Sequence, residues 1–351
     1  MKQQAIDLLK QLIETPSFSR QEAATADLID GFLQDFGVET IRKFNNVWCQ
    51  SKHYDATKPT VLLNSHHDTV KPVKGWQRNP FLASVEEGKL FGLGSNDAGA
   101  SLVSLMATFL HFYDTDLPFN LVFAASAEEE ISGRNGIAAI RGDLGKIAGG
   151  IVGEPTQMRM AIAEKGLMVV DGIAHGKAGH AAREEGVNAL YIALEDIDFI
   201  RQYEFAEVSE LLGKTKMSVT QIEAGTQHNV VPDTCKFVID IRTTEKHTNQ
   251  GVFEFLQNNT QSELKARSFR LNSSGIELSH PLVKSGLNLG LEYFGSSTLS
   301  DQALMDFPTV KMGVGQSKRS HTADEFIYIK EIEDGIDTYV DFIRWIDFGQ
   351  S

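Results

Sequence analysis

The chain has 351 residues and a mass of 38.8 kDa, so it is long enough for two domains with buried cores. A hydrophobic fraction of 42% excludes a disordered chain, and the lack of any long apolar run in the sequence argues against a membrane span. A formal net charge of −14 argues against a basic surface for nucleic acid, and two cysteines, Cys49 and Cys235, predict reduced thiols in a cytoplasmic protein.

The first predicted element is an amphipathic helix at the N terminus. Apolar side chains recur on one side of it from Ala5 to Ile13, and Pro16 closes it. We therefore expect a folded helix here and no signal peptide. A second amphipathic stretch runs from Glu22 to Phe36 and ends at Gly37.

Short apolar segments then alternate with helical ones. Buried strands are predicted for TVLLNS at 60–65, FNLVFAAS at 119–126 and GGIVGEP at 149–155. The apolar stretch 100–113 predicts a packed helix between the first two of these strands. This alternation is typical of an α/β domain with a mostly parallel sheet flanked by helices.

The pattern changes near residue 163. Segments 166–176, 216–225 and 235–244 alternate apolar and polar residues, as half-exposed antiparallel strands do. Two helical patterns lie among them, near 187–202 and 249–260. We expect a smaller inserted α+β domain at 165–275, with an antiparallel sheet and two helices, inside a larger domain formed by 1–164 and 276–351.

Two imidazoles and a carboxylate interrupt the first apolar strand, at His66, His67 and Asp68. Side chains two residues apart in a strand share a face, so His66 and Asp68 are predicted to point the same way and His67 the other way. A histidine that binds a metal commonly donates its second N–H to a carboxylate. The pair therefore fits a metal site, although a lone His-x-Asp in a strand more often has a purely structural role.

Acids and imidazoles recur after the later apolar runs, where α/β sheets present their functional loops. Asp97 precedes the predicted helix 100–113, and its alternative role is to cap that helix. Three adjacent glutamates at 128–130 follow the second strand, and their alternative is a solvated charge run. Glu154 follows the third strand, and His321 lies near the end of the chain. Such a mixed set of oxygen and nitrogen ligands fits a pair of divalent cations that share a water.

Motifs along the whole chain resemble, in the same order, those of the M20 family of dinuclear metallohydrolases. This family includes acetylornithine deacetylase, succinyl-diaminopimelate desuccinylase, aminoacylase and the glutamate-releasing carboxypeptidases. The matching segments are NSHHDTV, GKLFGLGSNDAGA, AEEEISGRNG, VGEPT, GKAGHAA, NVVPD, DIR and SHTADEF. Three departures remove no ligand: Ser65 replaces a common glycine, NDAGA replaces Asp-x-Lys-Gly-Gly, and Glu128 replaces an aspartate.

The resemblance implies a site for two divalent metal ions. The implied ligands are His66, Asp97, Glu130, Glu154 and His321. His66 and Glu154 would hold one ion, Glu130 and His321 the other, and Asp97 would bridge them. Zinc is the predicted metal, with cobalt or manganese as alternatives.

The resemblance also implies roles for residues that do not bind metal. The glycines of EEISGRNG align Glu129 and Glu130, rather than Glu128 and Glu129, with the family's pair of glutamates. Glu129 would then be the general base, and Asp68 would orient a metal ligand. Water on a metal can have its pKa lowered to about 7, so the predicted nucleophile is a metal-bound hydroxide that attacks an amide carbon.

Three residues of the smaller domain are implied in binding the substrate or the transition state. His180 would donate to the developing oxyanion in the active site of a partner subunit, which implies a homodimer and a closing motion. Asn229 and Arg242 would hold the acyl or carboxylate end of the substrate. Without the resemblance, His180 would be interpreted as an exposed loop histidine and Arg242 as part of a surface ion pair.

The predicted function is that of a metal-dependent amidohydrolase that removes an acetyl or succinyl group from the α-nitrogen of a small amino-acid substrate. The motifs look most like the branch of the family that acts on N-acetylornithine, N-acetylcitrulline or N-succinylornithine, with a product that feeds arginine biosynthesis. The alternatives are succinyl-diaminopimelate desuccinylase, a dipeptidase or an aminoacylase. The alternative from a different class is a non-catalytic relative, against which the retained candidate ligands and base argue.

Overall fold

The structure, a computed structural model, describes residues 1–349. None of the described helices combines the length and the apolar character that crossing a membrane requires. The α-helices are α1 (Lys2–Glu14), α2 (Ala23–Asp35), α3 (Ala100–Phe112), α4 (Ile137–Ile140), α5 (Ala189–Gln202), α6 (Asn249–Asn259), α7 (Pro281–Asn288) and α8 (Ile329–Arg344).

The strands are β1 (Thr40–Lys43), β2 (Asn46–Gln50), β3 (Thr60–His66), β4 (Ser84–Glu86), β5 (Lys89–Phe91), β6 (Asn120–Ser126), β7 (Gly149–Val152), β8 (Met160–Glu164), β9 (Met168–His175), β10 (Gly179–His180), β11 (Val208–Ser209), β12 (Gly213–Lys214), β13 (Lys216–Ala224), β14 (Val230–Val231), β15 (Thr234–Arg242), β16 (Glu263–Ala266), β17 (Ser274–Gly275), β18 (Tyr293–Ser296), β19 (Thr309–Lys311) and β20 (Phe326–Tyr328).

The main sheet has the strand order β1-β2-β6-β3-β7-β19-β8-β17, and β18 pairs with β8. Strands β6, β3, β7 and β19 are parallel to one another, whereas β1, β2 and β8 add antiparallel pairings on either side of them. Every residue of β3 and β6 is buried, which explains the continuous apolar runs at 61–63 and 121–125 in the two strands. The predicted α/β class with a parallel central sheet and flanking helices is therefore confirmed.

Helix α3 packs against β3 and against helices α1 and α8, and its first ten residues are all buried. Its burial on all sides explains why the stretch 100–113 lacks a polar face. The amphipathic helices α1 and α8 cover the same core with one side each. Because β6, β3, β7 and β19 run parallel, their carboxyl ends lie at one edge of the sheet.

The chain separates into two compact units. The first contains Met1–Ile162, Gly275–Phe294 and Ser300–Ser351, and the second contains Ala163–Ser274 with Gly295–Leu299. The predicted boundaries lie within a few residues of the two main divisions. The short segment Gly295–Leu299 was assigned to the larger domain by the sequence pattern, but it packs with the second unit.

The second unit has an antiparallel sheet of order β13-β15-β9-β16. Alternate residues of β9 and β15 are buried, in a core that includes side chains of α5 and α6. Helix α5 begins at Ala189 because the Asn188 side chain accepts a hydrogen bond from the Leu190 N–H at 3.0 Å. The predicted antiparallel sheet with two helices is confirmed, whereas the predicted role of this unit in dimerisation or as a lid stays a prediction.

Candidate metal centre

The carboxyl ends of three parallel strands bring the predicted ligands of the first unit together. Strand β3 ends at His66, β6 ends shortly before the three glutamates, and β7 ends two residues before Glu154. Asp68 therefore follows the strand and does not lie inside it, which corrects the expectation of a continuous strand. Parallel strands place their carboxyl ends at one edge, so loops distant in sequence meet there.

The His66 imidazole is surrounded by carboxylates. Its Nε2 atom lies 3.4 Å from an oxygen of Asp97, 3.7 Å from Glu154 and 4.0 Å from Glu129. This nitrogen is buried and makes no hydrogen bond with any described residue. A buried nitrogen without a partner, faced by several carboxylate oxygens, is the arrangement that a divalent cation would satisfy.

The second histidine lies on the other side of Asp97. His321 Nε2 is 3.0 Å from the nearer oxygen of Glu130 and 3.6 Å from Oδ2 of Asp97. The other oxygen of Asp97, Oδ1, faces His66. Asp97 thus presents one oxygen to each histidine, as a carboxylate that bridges two cations must.

Two groups of side chains have ligand atoms that all lie within 4.8 Å of one another. One group is His66, Asp97 and Glu130, and the other is His66, Glu129 and Glu154. These imidazole and carboxylate donors fit zinc, cobalt or manganese. Glu129, the predicted general base, belongs to the second of these groups.

Asp68 forms hydrogen bonds with residues of this cluster. The Nδ1–H of His66 donates to the Asp68 carbonyl oxygen at 3.0 Å, so in the neutral imidazole the lone pair is on Nε2, as a metal ligand needs. The Asp68 carboxylate accepts hydrogen bonds from the backbone N–H of Glu129 at 2.9 Å and of Glu130 at 3.2 Å, and from the Ser19 hydroxyl at 2.7 Å. One aspartate thus orients the imidazole and fixes the turn that carries two acids.

We expect Asp68→Asn to weaken zinc binding by about 10- to 100-fold, because an amide nitrogen cannot accept the hydrogen bonds that the carboxylate accepts. A competition titration with a chromophoric chelator measures this affinity. Asp55→Asn is the matched control, since Asp55 also accepts a backbone N–H, from Thr57 at 2.9 Å, but lies in a surface turn. Equal zinc affinity in Asp68→Asn and the unaltered protein would contradict the role of the Asp68 carboxylate in holding the turn of Glu129 and Glu130.

The three adjacent glutamates have different surroundings. Both oxygens of Glu128 are engaged by Asn135, through its backbone N–H at 3.2 Å and its side-chain Nδ2 at 3.0 Å. Gly133 permits this closure, because a Cβ there would lie 1.9 Å from Glu128 Oε2. Glu129 and Glu130 are largely buried and face the histidines. The alternative of a solvated charge run is therefore wrong.

Asp97 does not cap the helix that follows it. Helix α3 begins at Ala100 without a side-chain hydrogen bond at its N terminus, and the Asp97 carboxylate faces the two histidines. The capping alternative is therefore wrong. His67 points away from the cluster and is satisfied by the Thr25 hydroxyl at 2.9 Å and the Asn45 carbonyl oxygen at 2.8 Å.

Burial and mutual repulsion raise the pKa values of several carboxylates in the cluster. Burial, reinforced by Glu154, holds the pKa of Glu129 well above its usual range, and burial raises the pKa of Glu154 to about 8. In the metal-free cluster burial would lower the pKa of His66, but the carboxylates around it, Asp68 and Asp97 foremost, outweigh burial and raise that pKa well above its usual value. Acids that repel one another this strongly are stabilised by a cation placed between them.

Without bound cations, the protein should lose stability as the pH rises from about 7 to about 9. The pKa of Glu154 is about 8 in the fold against an ordinary 4.5, and the Glu130 hydrogen bond raises that of His321 to about 9 from 6.5. In this range both groups keep protons in the folded state that the unfolded chain releases, so rising pH favours unfolding. The melting temperature in the presence of a chelator should fall across this range. A constant or rising melting temperature would contradict the prediction.

One buried acid near the cluster was missed by the sequence analysis. The Glu325 carboxylate accepts hydrogen bonds from the backbone N–H of Gly94, Asn96 and Asp97. Burial, together with the charge of Asp97, raises its pKa to about 8. The only signal in the sequence was an acid directly before the apolar strand FIY, four residues after His321.

The remaining predicted residues belong to the second unit. His180 on β10 is exposed and lies opposite Val230 of β14, and the neighbouring Asn229 carbonyl oxygen accepts the Ala181 N–H at 3.0 Å. His180 and Asn229 are therefore brought together within this unit.

Arg242, the last residue of β15, forms two hydrogen bonds with Asp240, at 2.8 and 3.1 Å. The structure thus shows Arg242 in a local ion pair, which was the alternative interpretation of this residue. Within the second unit Arg242 uses Nε and Nη2 to bind Asp240, and its substrate role stays a prediction.

Comparison with known proteins identifies the family. The model of peptidase family M20/M25/M40 matches residues 62–345, so the chain belongs to this family. The succinyl-diaminopimelate desuccinylase of Corynebacterium glutamicum is 27% identical over 350 residues, which cover 94% of this chain and 93% of the relative. The acetylornithine deacetylase of Proteus mirabilis is 27% identical over 369 residues, with 93% of each chain covered.

Two solved structures share the fold. The aminopeptidase PepT from Bacillus cereus has a TM-score of 0.80 at 19% identity, with 99% of both chains covered. The YXEP protein of Bacillus subtilis, described as a dinuclear metal binding peptidase from the M20 family, has a TM-score of 0.74 at 17% identity, with 97% of both chains covered. The predicted family, fold class and hydrolase class are thereby confirmed.

Proposed function

We propose that the chain is a dinuclear metal-dependent hydrolase that removes an N-acyl group from the α-nitrogen of an amino acid. The observation that supports this most directly is the buried His66 Nε2, which has no hydrogen-bond partner among the described residues and faces three carboxylates. We assign His66 and Glu154 to one cation, and Glu130 and His321 to the other. Asp97 would bind both cations.

Glu129 is the proposed general base. Divalent cations at this site would lower the pKa of water and polarise the acyl oxygen of the substrate. Glu129 takes a proton from the attacking water and delivers it to the departing amine nitrogen, which makes the amine a better leaving group. Glu129 is suited to this role by position, because its carboxylate lies beside His66 and belongs to the same group of potential ligand atoms as Glu154.

For the substrate we propose N-acetylornithine, N-acetylcitrulline or N-succinylornithine, in a reaction that feeds arginine biosynthesis. The acetylornithine deacetylase of P. mirabilis supports this choice. The second candidate is N-succinyl-diaminopimelate, which the desuccinylase of C. glutamicum supports at the same identity and similar coverage. Both candidates present a linear amide on an amino acid, so they require the same chemistry.

We also propose a homodimer in which His180 donates to the developing oxyanion at the active site of a partner, while Asn229 and Arg242 hold the acyl or carboxylate end of the substrate. The exposure of the His180 side chain, and the pairing of β10 with β14 that brings His180 and Asn229 beside each other, support the first two of these roles. The cytoplasmic location remains the expectation from two unpaired, buried cysteines, Cys49 and Cys235.

A panel of substrates tests the proposed function. The panel contains N-acetyl and N-succinyl derivatives of ornithine, citrulline, lysine and diaminopimelate, with simple dipeptides as a further arm, each assayed with zinc or cobalt. We expect kcat/KM for one acyl amino acid to exceed that for the dipeptides by at least about an order of magnitude. The preferred compound decides between deacetylase and desuccinylase. Preference for dipeptides, or no hydrolysis of any compound with either metal, would overturn the proposal.

A further inference from the structure

Two side chains outside the proposed ligand set connect the loops that carry Asp97 and His321. The first is Glu325, which is 2% exposed. Its Oε1 accepts the backbone N–H of Asn96 at 2.8 Å and of Asp97 at 2.9 Å, and its Oε2 accepts that of Gly94 at 3.1 Å. A single carboxylate thus engages three amide groups of the loop that precedes α3.

The second connecting side chain is Asn96, which is fully buried. Its Oδ1 accepts the Gln316 N–H at 2.9 Å, while its Nδ2 donates to the Gln316 carbonyl oxygen at 3.1 Å and to the Ser320 hydroxyl at 3.3 Å. The Asn96 side chain therefore binds the segment that precedes His321. The Glu325 side chain binds the backbone of the segment that contains Asn96. Each loop supplies a side chain that binds the backbone of the other.

The reciprocal hydrogen bonds join segments more than 200 residues apart in sequence. Asp97 must present one oxygen to His66 and the other to His321, so the position of its backbone decides whether the carboxylate can bridge. A ligand loop that is ordered beforehand loses less conformational entropy when the ligand binds. The hydrogen bond from the Asp97 N–H to Glu325 supplies such order at the ligand itself.

We propose that Glu325, supported by Asn96, is a positioning residue that holds Asp97 between His66 and His321 before any cation arrives. This inference rests on the proposed function, because it presupposes that these three residues bind metal. It assigns to Glu325 a role in metal affinity that is separate from its contribution to the stability of the fold.

The test is zinc affinity, measured by competition with a chromophoric chelator, in Glu325→Ala, Glu325→Gln and Asn96→Ala. We expect Glu325→Ala to bind zinc about 10- to 100-fold more weakly. Glu325→Gln should recover part of the loss, because its oxygen can still accept the N–H of Asn96 and Asp97 while its amide nitrogen cannot accept that of Gly94.

The matched control is Asp196→Ala in the second unit. Asp196 is also a buried carboxylate that accepts two backbone N–H groups, from Gln261 and Ser262, each at 2.9 Å. Its removal should lower the melting temperature and leave zinc affinity unchanged. Equal losses of zinc affinity in Asp196→Ala and Glu325→Ala would reduce the role of Glu325 to general stability and overturn the inference.

Hydrogen exchange of the metal-free protein gives a second readout that does not depend on activity. In Glu325→Ala the amides of Gly94, Asn96 and Asp97 should exchange faster, while those of β3 keep their protection. Unchanged exchange at these three amides in Glu325→Ala, or unchanged zinc affinity in folded Glu325→Ala and Asn96→Ala, overturns the inference alone. Failure of the unaltered protein to bind zinc overturns the proposed function itself, so the two failures are distinguishable.

Discussion

Replacing Glu129 by glutamine should lower kcat by about 100- to 10,000-fold while two zinc ions per chain remain bound. Glutamine has nearly the same shape as glutamate, but it cannot take a proton from the attacking water. The change leaves all the proposed ligands in place, so metal content is expected to stay the same. Steady-state kinetics and metal analysis of the same preparation measure both quantities.

Glu128→Gln is the neighbouring control for Glu129. Glu128 binds Asn135 and closes its own loop, so its replacement should lower stability far more than turnover. A comparable fall of kcat in both variants would show that the base has been misassigned within the acidic run. Loss of one zinc ion in Glu129→Gln would show that Glu129 is a ligand, as its proximity to His66 and Glu154 permits.

Replacing His66 by alanine should weaken binding of the first zinc ion by more than about 100-fold and abolish turnover. The imidazole is the only described side chain that belongs to both groups of candidate ligand atoms. Without it, the carboxylates of Asp97 and Glu154 lose the one nitrogen donor that faces both. Isothermal titration with zinc and metal analysis after dialysis measure the loss.

His67→Ala is the control that the chain itself offers for His66. The two imidazoles are adjacent in sequence, but His67 binds Thr25 and Asn45 instead of facing the carboxylates. Its removal deprives the Asn45 carbonyl oxygen of its imidazole donor, while the Thr25 hydroxyl keeps the Glu22 carbonyl oxygen as an acceptor. It should cost about 1–3 kcal/mol of stability, with zinc binding retained. Zinc affinity that fell in His67→Ala and persisted in His66→Ala would refute the assignment of the ligand.

Local sequence patterns were sufficient to predict where the candidate ligands meet. Short apolar runs precede His66, the three glutamates and Glu154 in the sequence, and they indicated buried parallel strands. Such strands present the residues that follow them at a common edge of the sheet. The opposite orientations of His66 and His67 also followed from the alternation of side chains along a strand.

The three adjacent glutamates show where local patterns stopped being informative. Nothing in their own chemistry distinguishes them, and motif resemblance alone favoured Glu129 and Glu130. The fold separates them because Glu128 adopts a left-handed backbone conformation, with φ of 55°, and turns its carboxylate to Asn135. The Asp68 carboxylate accepts the backbone N–H groups of Glu129 and Glu130 and so fixes the positions of these two residues.

By itself, the sequence determined the α/β class, the inserted antiparallel unit and membership of the M20 family, because periodic burial and ordered motifs are written in neighbouring residues. Only the tertiary structure decided that Glu325 binds the Asp97 loop, that Asn96 binds the segment before His321, and that Arg242 is engaged by Asp240. The first two contacts join residues more than 200 positions apart, and the third depends on rotamers. Hydrogen-bond partners at such separations are selected by packing, which no local pattern of residues encodes.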